Sequence, residues 1–282
     1  MRLIEQRDLF RSSLKKQYEV REIDDLFKRA IAHYFSWSSL KIGLEPQFLL
    51  SKDEEKQLEE LRAELVIGRP FQYCIGTTHF MELELSVGPG VLIPRPETEE
   101  LIEWVLSENA SSEKKVWDIC SGSGCIALAL KKARPQWLIK GFDISNAALK
   151  IAQRNAKVLK LNVLFEEGNV LDWKSFASPC DLIVANPPYV LPSEKVKMHS
   201  NVLDHEPELA LFVPENDPLL FYRKIIEIAS TKLAAEGSLY FEINPLFVDE
   251  LIMLGKVHGF PFASVKKDIF GKDRFVKFSQ YK

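Results

Sequence analysis

From Val116 onward, short apolar runs alternate with longer amphipathic stretches, and that alternation leaves the chain few folds to adopt. "KVWDIC", "LIKGFDIS", "NVLFEEGNV", "CDLIVA", "GSLYFEI", "FASVKKDI" and "DRFVKFSQ" read as seven strands. "CIALALKKA", "NAALKIAQRNAKVL", "PLLFYRKIIEIASTKL" and "LFVDELIMLGKVHG" read as helices. Strand–helix alternation implies an α/β fold, a mainly parallel, doubly wound sheet with helices on both faces. The last two strands follow one another directly, so one edge of the sheet is expected to be antiparallel. Such sheets take ligands at the carboxyl ends of their strands, where the strand order reverses. Asp118, Asp143, Asn169 and Asn186 each lie at a strand end and so belong to one rim.

The front of the chain has a different pattern. In "EIDDLFKRAIAHYF", Ile23, Leu26, Phe27, Ala30, Ile31 and Tyr34 share one helical face. Ser51 is an N-cap candidate with Glu54 three residues on, a capping box, and Gly68 ends that helix. Residues 1–75 carry 13 Lys+Arg and 13 Asp+Glu. A helical module so balanced suits docking of a protein better than gripping DNA. "THFMELELSVGPGVLIPRPETEEL" alternates apolar and polar residues and is broken by Gly88-Pro89-Gly90, which reads as a β-hairpin. A helix is expected from Thr98 to about Leu106. The expected domains are therefore a helical bundle over 1–75, a hairpin linker over 76–97 and the sheet domain over 98–282.

With 46% hydrophobic and 27% charged residues, the chain can build a core. Its net charge of -3 lacks the basic excess that many phosphate contacts require, so no direct nucleic-acid partner is expected. The start "MRLIEQRDLF" has no signal-peptide core, and no segment reaches the roughly 18 apolar residues of a membrane span. Cys74, Cys120, Cys125 and Cys180 form no C-x-x-C pair, so no metal site is expected and the thiols read as reduced. The expectation is a cytoplasmic monomer.

In "VWDICSGSGCIALAL" a strand, a small-residue loop and a helix follow one another. Gly122 and Gly124 allow a sharp turn and close approach of a ligand, and the helix start offers free N–H groups. No Gly-Lys-Ser/Thr follows, which excludes a Walker A loop. Gly122-Ser-Gly124-Cys-Ile-Ala127 is close to the G-x-G-x-x-G/A form of dehydrogenases, so spacing alone leaves that class open. Asp143 ends the next strand, where a carboxylate can accept from both hydroxyls of a ribose. An adenosine-type cofactor is therefore expected. Asp118 could hold a second polar group, such as an amino-acid ammonium, or simply cap the helix.

The run "CDLIVANPPYV" stops a strand at two prolines, which have no N–H for the ladder. There Asn186 offers an acceptor oxygen, and the carbonyl of Pro187 is free of any ladder. Together they can accept both hydrogens of a planar –NH₂ group, with Tyr189 stacked behind it. Held so, the nitrogen lone pair has one direction, and alignment rather than a strong base would supply much of the acceleration.

Taken together, "RPFQYCIG", "VLIPRPETEEL", "DICSGSGCIALAL", "FDISNAALKIAQRNA", "DLIVANPPYV" and "HEPELAL" resemble, in order, the class I S-adenosylmethionine-dependent methyltransferases of the HemK family. These are peptide chain release factor N5-glutamine methyltransferases, and the likeness spans nearly the whole chain. It implies a Rossmann-like seven-stranded sheet behind a small helical domain and a hairpin. It also implies methyl transfer to the glutamine of the Gly-Gly-Gln tip of bacterial class I release factors, with S-adenosyl-L-homocysteine as product. By position, Cys120, Ser121, Gly122, Ser123 and Gly124 would form the cofactor loop and Asp143 would hold the ribose. Asn169 and Val170 would lie near the adenine, and Asp118 would join the cofactor set. Asn186 would touch cofactor and substrate. Asn186, Pro187, Pro188 and Tyr189 would hold the glutamine amide. Arg95 to Glu99, with Pro96, Glu97 and Thr98, would line the substrate entrance.

The chain departs from that pattern in three places. Cys120 stands where the family usually has glycine, and its Cβ could crowd the cofactor's methionine end. "FVPENDPLL" replaces a glycine-rich stretch after "HEPELAL", and Asn244-Pro245 replace a glycine after "YFEI". An adenine-N6 or cytosine-N4 nucleic-acid methyltransferase, a ribosomal-protein glutamine methyltransferase and an inactive adaptor are the competing readings. The first needs a basic recognition region for which little chain is left after Tyr189.

Overall fold

The computed structural model describes residues 1–110, 113–172 and 179–281; the other positions of the expected 98–282 domain lie outside the described residues. Two compact units emerge. One is Met1–Thr77 with His199–His205, the other Thr78–Met198 with Glu206–Lys282.

The helical unit contains α1 (Leu3–Leu14), α2 (Val20–Phe35), α3 (Ser39–Leu44), α4 (Lys52–Val66) and α5 (Phe71–Ile75). The apolar face expected on α2 is buried at Ile23, Leu26, Phe27, Ala30 and Ile31, with half-exposed Tyr34 packed at its edge. Phe27 meets Phe10 edge to face at 5.2 Å, and Leu58, Leu61 and Leu65 of α4 close the core. The capping box forms as the sequence predicts: Ser51 Oγ accepts from the Glu54 N–H at 3.3 Å, and Glu54 Oε2 accepts from the Ser51 N–H at 2.7 Å. A short helix far along the chain, Ser200–His205, also belongs here, with Asn201 Nδ2 donating to the Tyr18 hydroxyl at 2.8 Å.

The second unit begins with the hairpin, β1 (Thr77–Phe80, whose first residue groups with the helical unit) and β2 (Leu83–Ser86). Its turn falls at Met81-Glu82, with Met81 at φ 50°, and not at Gly88-Pro89-Gly90, which lie beyond β2. The hairpin is also no free linker. Phe80, Leu83 and Leu85 sit in the core of the sheet unit, and Glu99 Oε1 accepts the Met81 N–H at 2.6 Å. After it come α6 (Pro96–Glu108), β3 (Lys115–Ile119), α7 (Cys125–Ala133), β4 (Leu138–Asp143), α8 (Asn146–Leu159), β5 (Leu164–Glu167) and β6 (Cys180–Ala185). Helix α6 starts two residues earlier than expected because Pro96 fits its first position, where no N–H is needed. The helix Ser200–His205 is α9, followed by α10 (Glu208–Leu211), α11 (Leu220–Lys232), β7 (Leu233–Glu242), α12 (Val248–Val257), β8 (Phe262–Lys267) and β9 (Asp273–Ser279).

The seven-stranded sheet has the order β5-β4-β3-β6-β7-β9-β8. All pairs are parallel except those of β9 with β7 and β8, the antiparallel edge expected from two consecutive strands. Period-2 alternation divides the core between the faces. Val116, Leu182, Val184, Tyr240 and Phe275 pack on one side, and Trp117, Ile183, Phe241, Val276 and Phe278 on the other. The order turns back between β3 and β6, so the loops after these two strands flank the crevice.

Replacing Ser51 by Ala removes one arm of the α4 capping box. We expect a loss of about 1 kcal/mol from the helical unit, read as a lower urea midpoint with unchanged slope.

Candidate active site

At the carboxyl rim of the sheet lies a cavity of about 250 Å³. The loop after β3 forms its floor. Gly122 has φ 54°, and a Cβ added there would meet no protein atom within 4 Å, so the glycine leaves open space where a ligand can approach. Gly124 has φ 81° and no room behind it, since a Cβ would come within 2.7 Å of Phe165 Cζ. Cys120 also adopts a left-handed φ of 64°, a conformation that costs a side-chain-bearing residue roughly 1–2 kcal/mol. A glycine at this position would not carry that cost.

Asp143, last residue of β4, ties the floor to the next strand. Its Oδ2 accepts the Gly122 N–H and its Oδ1 the Ser145 N–H, each at 2.8 Å. A carboxylate has about four acceptor sites, so two remain for a ligand. Burial raises its pKa. Asp118 is fully buried behind the loop. Its Oδ2 accepts the Ala127 N–H at 3.1 Å, which is the helix-capping role, while Oδ1 has no partner. Burial chiefly, with Asp143 nearby, pushes its pKa up to about 7. An unpartnered buried oxygen of this kind favours the neutral carboxyl form, as the raised pKa reflects. Asn169 Oδ1 accepts the Leu171 N–H at 2.9 Å, holding the turn after β5. The thiols of Cys120 and Cys125 are both on the wall, and burial raises both, so they are neutral there.

Across the crevice, β6 delivers Asn186. Its Nδ2 lies 3.4 Å from Thr98 Oγ1, a long hydrogen bond. Of the residues picked from sequence, Arg95, Thr98, Cys120, Ser121, Gly122, Ser123, Asp143, Asn169, Val170, Asn186 and Pro188 line this one cavity. Asp118, Gly124, Pro96, Glu97, Pro187 and Tyr189 do not. Tyr189 differs from the expected stacking plate. Its ring packs against the core and its hydroxyl donates to Glu242 Oε1 at 2.9 Å. Glu99 is turned to the hairpin.

Three residues of the site escaped sequence reasoning. Glu206, buried within "HEPELAL", accepts the Ile93 N–H at 3.0 Å and Arg95 Nη2 at 2.6 Å, and so fixes the mouth. Glu242 at the end of β7 takes the hydroxyls of Thr98 and Tyr189. Asn155 of α8 accepts the Ser86 N–H and donates to the Ser123 carbonyl, joining hairpin and loop. A carboxylate in an otherwise apolar strand, such as Glu242 in "SLYFEI", was the available signal. Asn244, one of the departures, donates to the Tyr189 carbonyl at 3.1 Å and to Glu194 at 2.9 Å, which steadies the segment after Asn186.

Comparison with known proteins places this geometry. The methyltransferase small domain family matches residues 97–207. A release factor glutamine methyltransferase of Flavobacterium psychrophilum is 41% identical, over 96% of this chain and 96% of its own. One from Bacteroides thetaiotaomicron is 40% identical, over 94% and 96%.

The chain belongs to the release factor glutamine methyltransferase family.

A methyltransferase from Pyrococcus furiosus shares the fold, with a TM-score of 0.55 at 15% identity over 78% of this chain and 98% of that one. The crevice between the β3 and β6 loops is thus the candidate active site of a methyltransferase. Among the described residues, no helix is long and apolar enough to cross a membrane.

The raised pKa of Asp118 has a definite sign. Over the window from about 4 to about 7, the folded chain keeps a proton that the unfolded chain releases, so stability falls as pH rises through it. Asp118→Asn removes this dependence. Its urea midpoint relative to wild type should be higher at pH 8 than at pH 5, by a difference worth roughly 2–4 kcal/mol.

Proposed function

We propose that the protein transfers the methyl group of S-adenosyl-L-methionine to the side-chain amide N5 of the glutamine in the Gly-Gly-Gln motif of peptide chain release factors, supporting translation termination. The observation that carries this reading is a single cavity with Asp143 and the glycine loop on one side and Asn186 on the other. Family membership supports the choice of substrate.

When bound, the cofactor supplies a methyl group on a positively charged sulfur. The remaining acceptor capacity of Asp143 suits the ribose hydroxyls, and Asp118 would support the cofactor loop from behind through the Ala127 N–H. Cys120 to Gly124 would border the methionine end, with Asn169 and Val170 beside the adenine. Asn186 Nδ2 is directed to Thr98, which leaves Oδ1 as an acceptor for the target. Among the described residues, no backbone donor reaches the Pro187 carbonyl, so it can be the second acceptor. Together they would hold both hydrogens of the glutamine amide and orient its nitrogen, with Pro188 on the wall. The buried hydroxyl of Tyr189 holds this segment from behind. Arg95 and Thr98 would line the entrance, and Pro96 and Glu97 would lie outside it. The helical unit would dock the release factor. We place this activity in the cytoplasm, carried out by a monomer without direct nucleic-acid contact.

The test offers labelled S-adenosylmethionine with a release factor, ribosomal proteins and DNA side by side, and mass spectrometry locates the methyl group. Label is expected on the release factor glutamine. Label confined to ribosomal protein or DNA would refute the assignment. In the same assay Asn186→Ala should lose methyl transfer by at least about 10³-fold while product binding weakens only modestly.

Cys120→Gly relieves the left-handed strain and clears a Cβ from the wall. Calorimetry should show S-adenosylmethionine bound at least as tightly as by wild type.

A further inference from the structure

Glu242 closes β7 in the strand end next to Asn186 and is 2% exposed. Its two oxygens face two hydroxyls. Oε2 accepts from Thr98 Oγ1 at 2.7 Å, and Oε1 accepts from the Tyr189 hydroxyl at 2.9 Å. The first holds the opening turn of α6, and the second holds the end of the Asn-Pro-Pro-Tyr run. Burial raises the Tyr189 hydroxyl well above its ordinary pKa, so it is a donor here.

The hydrogen inventory of this chain has a consequence for Asn186. A threonine hydroxyl carries one hydrogen. Burial raises the Glu242 pKa, but each of its oxygens accepts a hydroxyl, and with Oε2 at 2.7 Å the Thr98 hydrogen is committed to it. What Thr98 Oγ1 has left is lone pairs, and only an N–H can face them favourably. The Asn186 amide must therefore turn Nδ2 toward Thr98, as observed at 3.4 Å. Turning it end for end would set Oδ1 against the hydroxyl's lone pairs.

We propose that Glu242, acting through the Thr98 hydroxyl, is a positioning residue that determines which end of the Asn186 amide faces the substrate. The proposal rests on the reading of Asn186 as the acceptor of the glutamine amide. Neither Glu242 nor Tyr189 lies on the cavity wall, and neither touches the substrate in this scheme. Their carboxylate–hydroxyl links tie the turn after β6 to the first turn of α6. Tyr222 adds to these from α11, its hydroxyl donating to the Glu242 carbonyl at 3.2 Å.

Thr98→Val keeps the shape and removes the hydroxyl. It should lower kcat about 10- to 100-fold, with the KM for the release factor and the calorimetric affinity for S-adenosylhomocysteine unchanged. Thr98→Ser restores the hydroxyl and should recover kcat, which a role in packing the methyl group would not produce. Glu242→Gln offers one acceptor where two are used and should also lower kcat; if that variant fails to fold, the threonine pair decides. Wild-type kcat in Thr98→Val, or equal losses in Thr98→Val and Thr98→Ser, overturns the proposal. So does a fall in product affinity that matches the fall in kcat. Asn186→Ala separates the two readings. Full turnover in it removes the acceptor role of Asn186, whereas loss in Asn186→Ala with wild-type kcat in Thr98→Val removes only the positioning role.

Discussion

The reversal of strand order between β3 and β6 is the constraint on which the remaining geometry depends. Parallel strands deliver their carboxyl ends to one edge, and the two loops that leave in opposite directions cannot close over one another. A crevice results from topology before any side chain is chosen. The small residues 120–124 can line one wall and Asn186 the other because both follow directly from paired strands, with Ile119 in register with Ala185. The distance between the two halves of the site is thus set by one ladder of backbone hydrogen bonds and not by loop packing.

Polar groups around this crevice are organised by four carboxyl groups, three of them buried. Asp118, Asp143, Glu206 and Glu242 are each held by N–H or O–H donors from elsewhere in the fold. A carboxylate is costly to bury alone; Asp143, Glu206 and Glu242 each join segments more than 20 positions apart, whereas Asp118 holds Ala127 nine positions on. Thr98 and Glu242 are 144 positions apart, and Arg95 and Glu206 are 111. Three of the four use every oxygen, whereas Asp118 keeps one without a partner.

Much of this was legible in the sequence because the governing patterns are local. The period-2 and period-3.6 runs located the strands and helices of the sheet, and Asp143 and Asn186 could be placed because they end strands. The capping box of α4 is four residues long and was read correctly. What failed was non-local or chemically silent. Gly88-Pro89-Gly90 looks like a turn, yet the hairpin reverses at Met81-Glu82, where Met81 adopts φ 50° with its backbone N–H taken by Glu99. The sequence around Tyr189 shows the ring but not the buried carboxylate of Glu242 that holds its hydroxyl. The attachment of α9 to the helical unit rests on six residues without a readable period.

The Arg95–Glu206 pair carries a consequence for how a partner arrives. The guanidinium at the mouth is already neutralised by a carboxylate that is 1% exposed and also bound to a backbone N–H. Mobile ions cannot easily screen such a pair. The pair itself therefore contributes little net charge at the entrance. The guanidinium is thereby directed by Glu206, with donors left over beyond the one that bond uses.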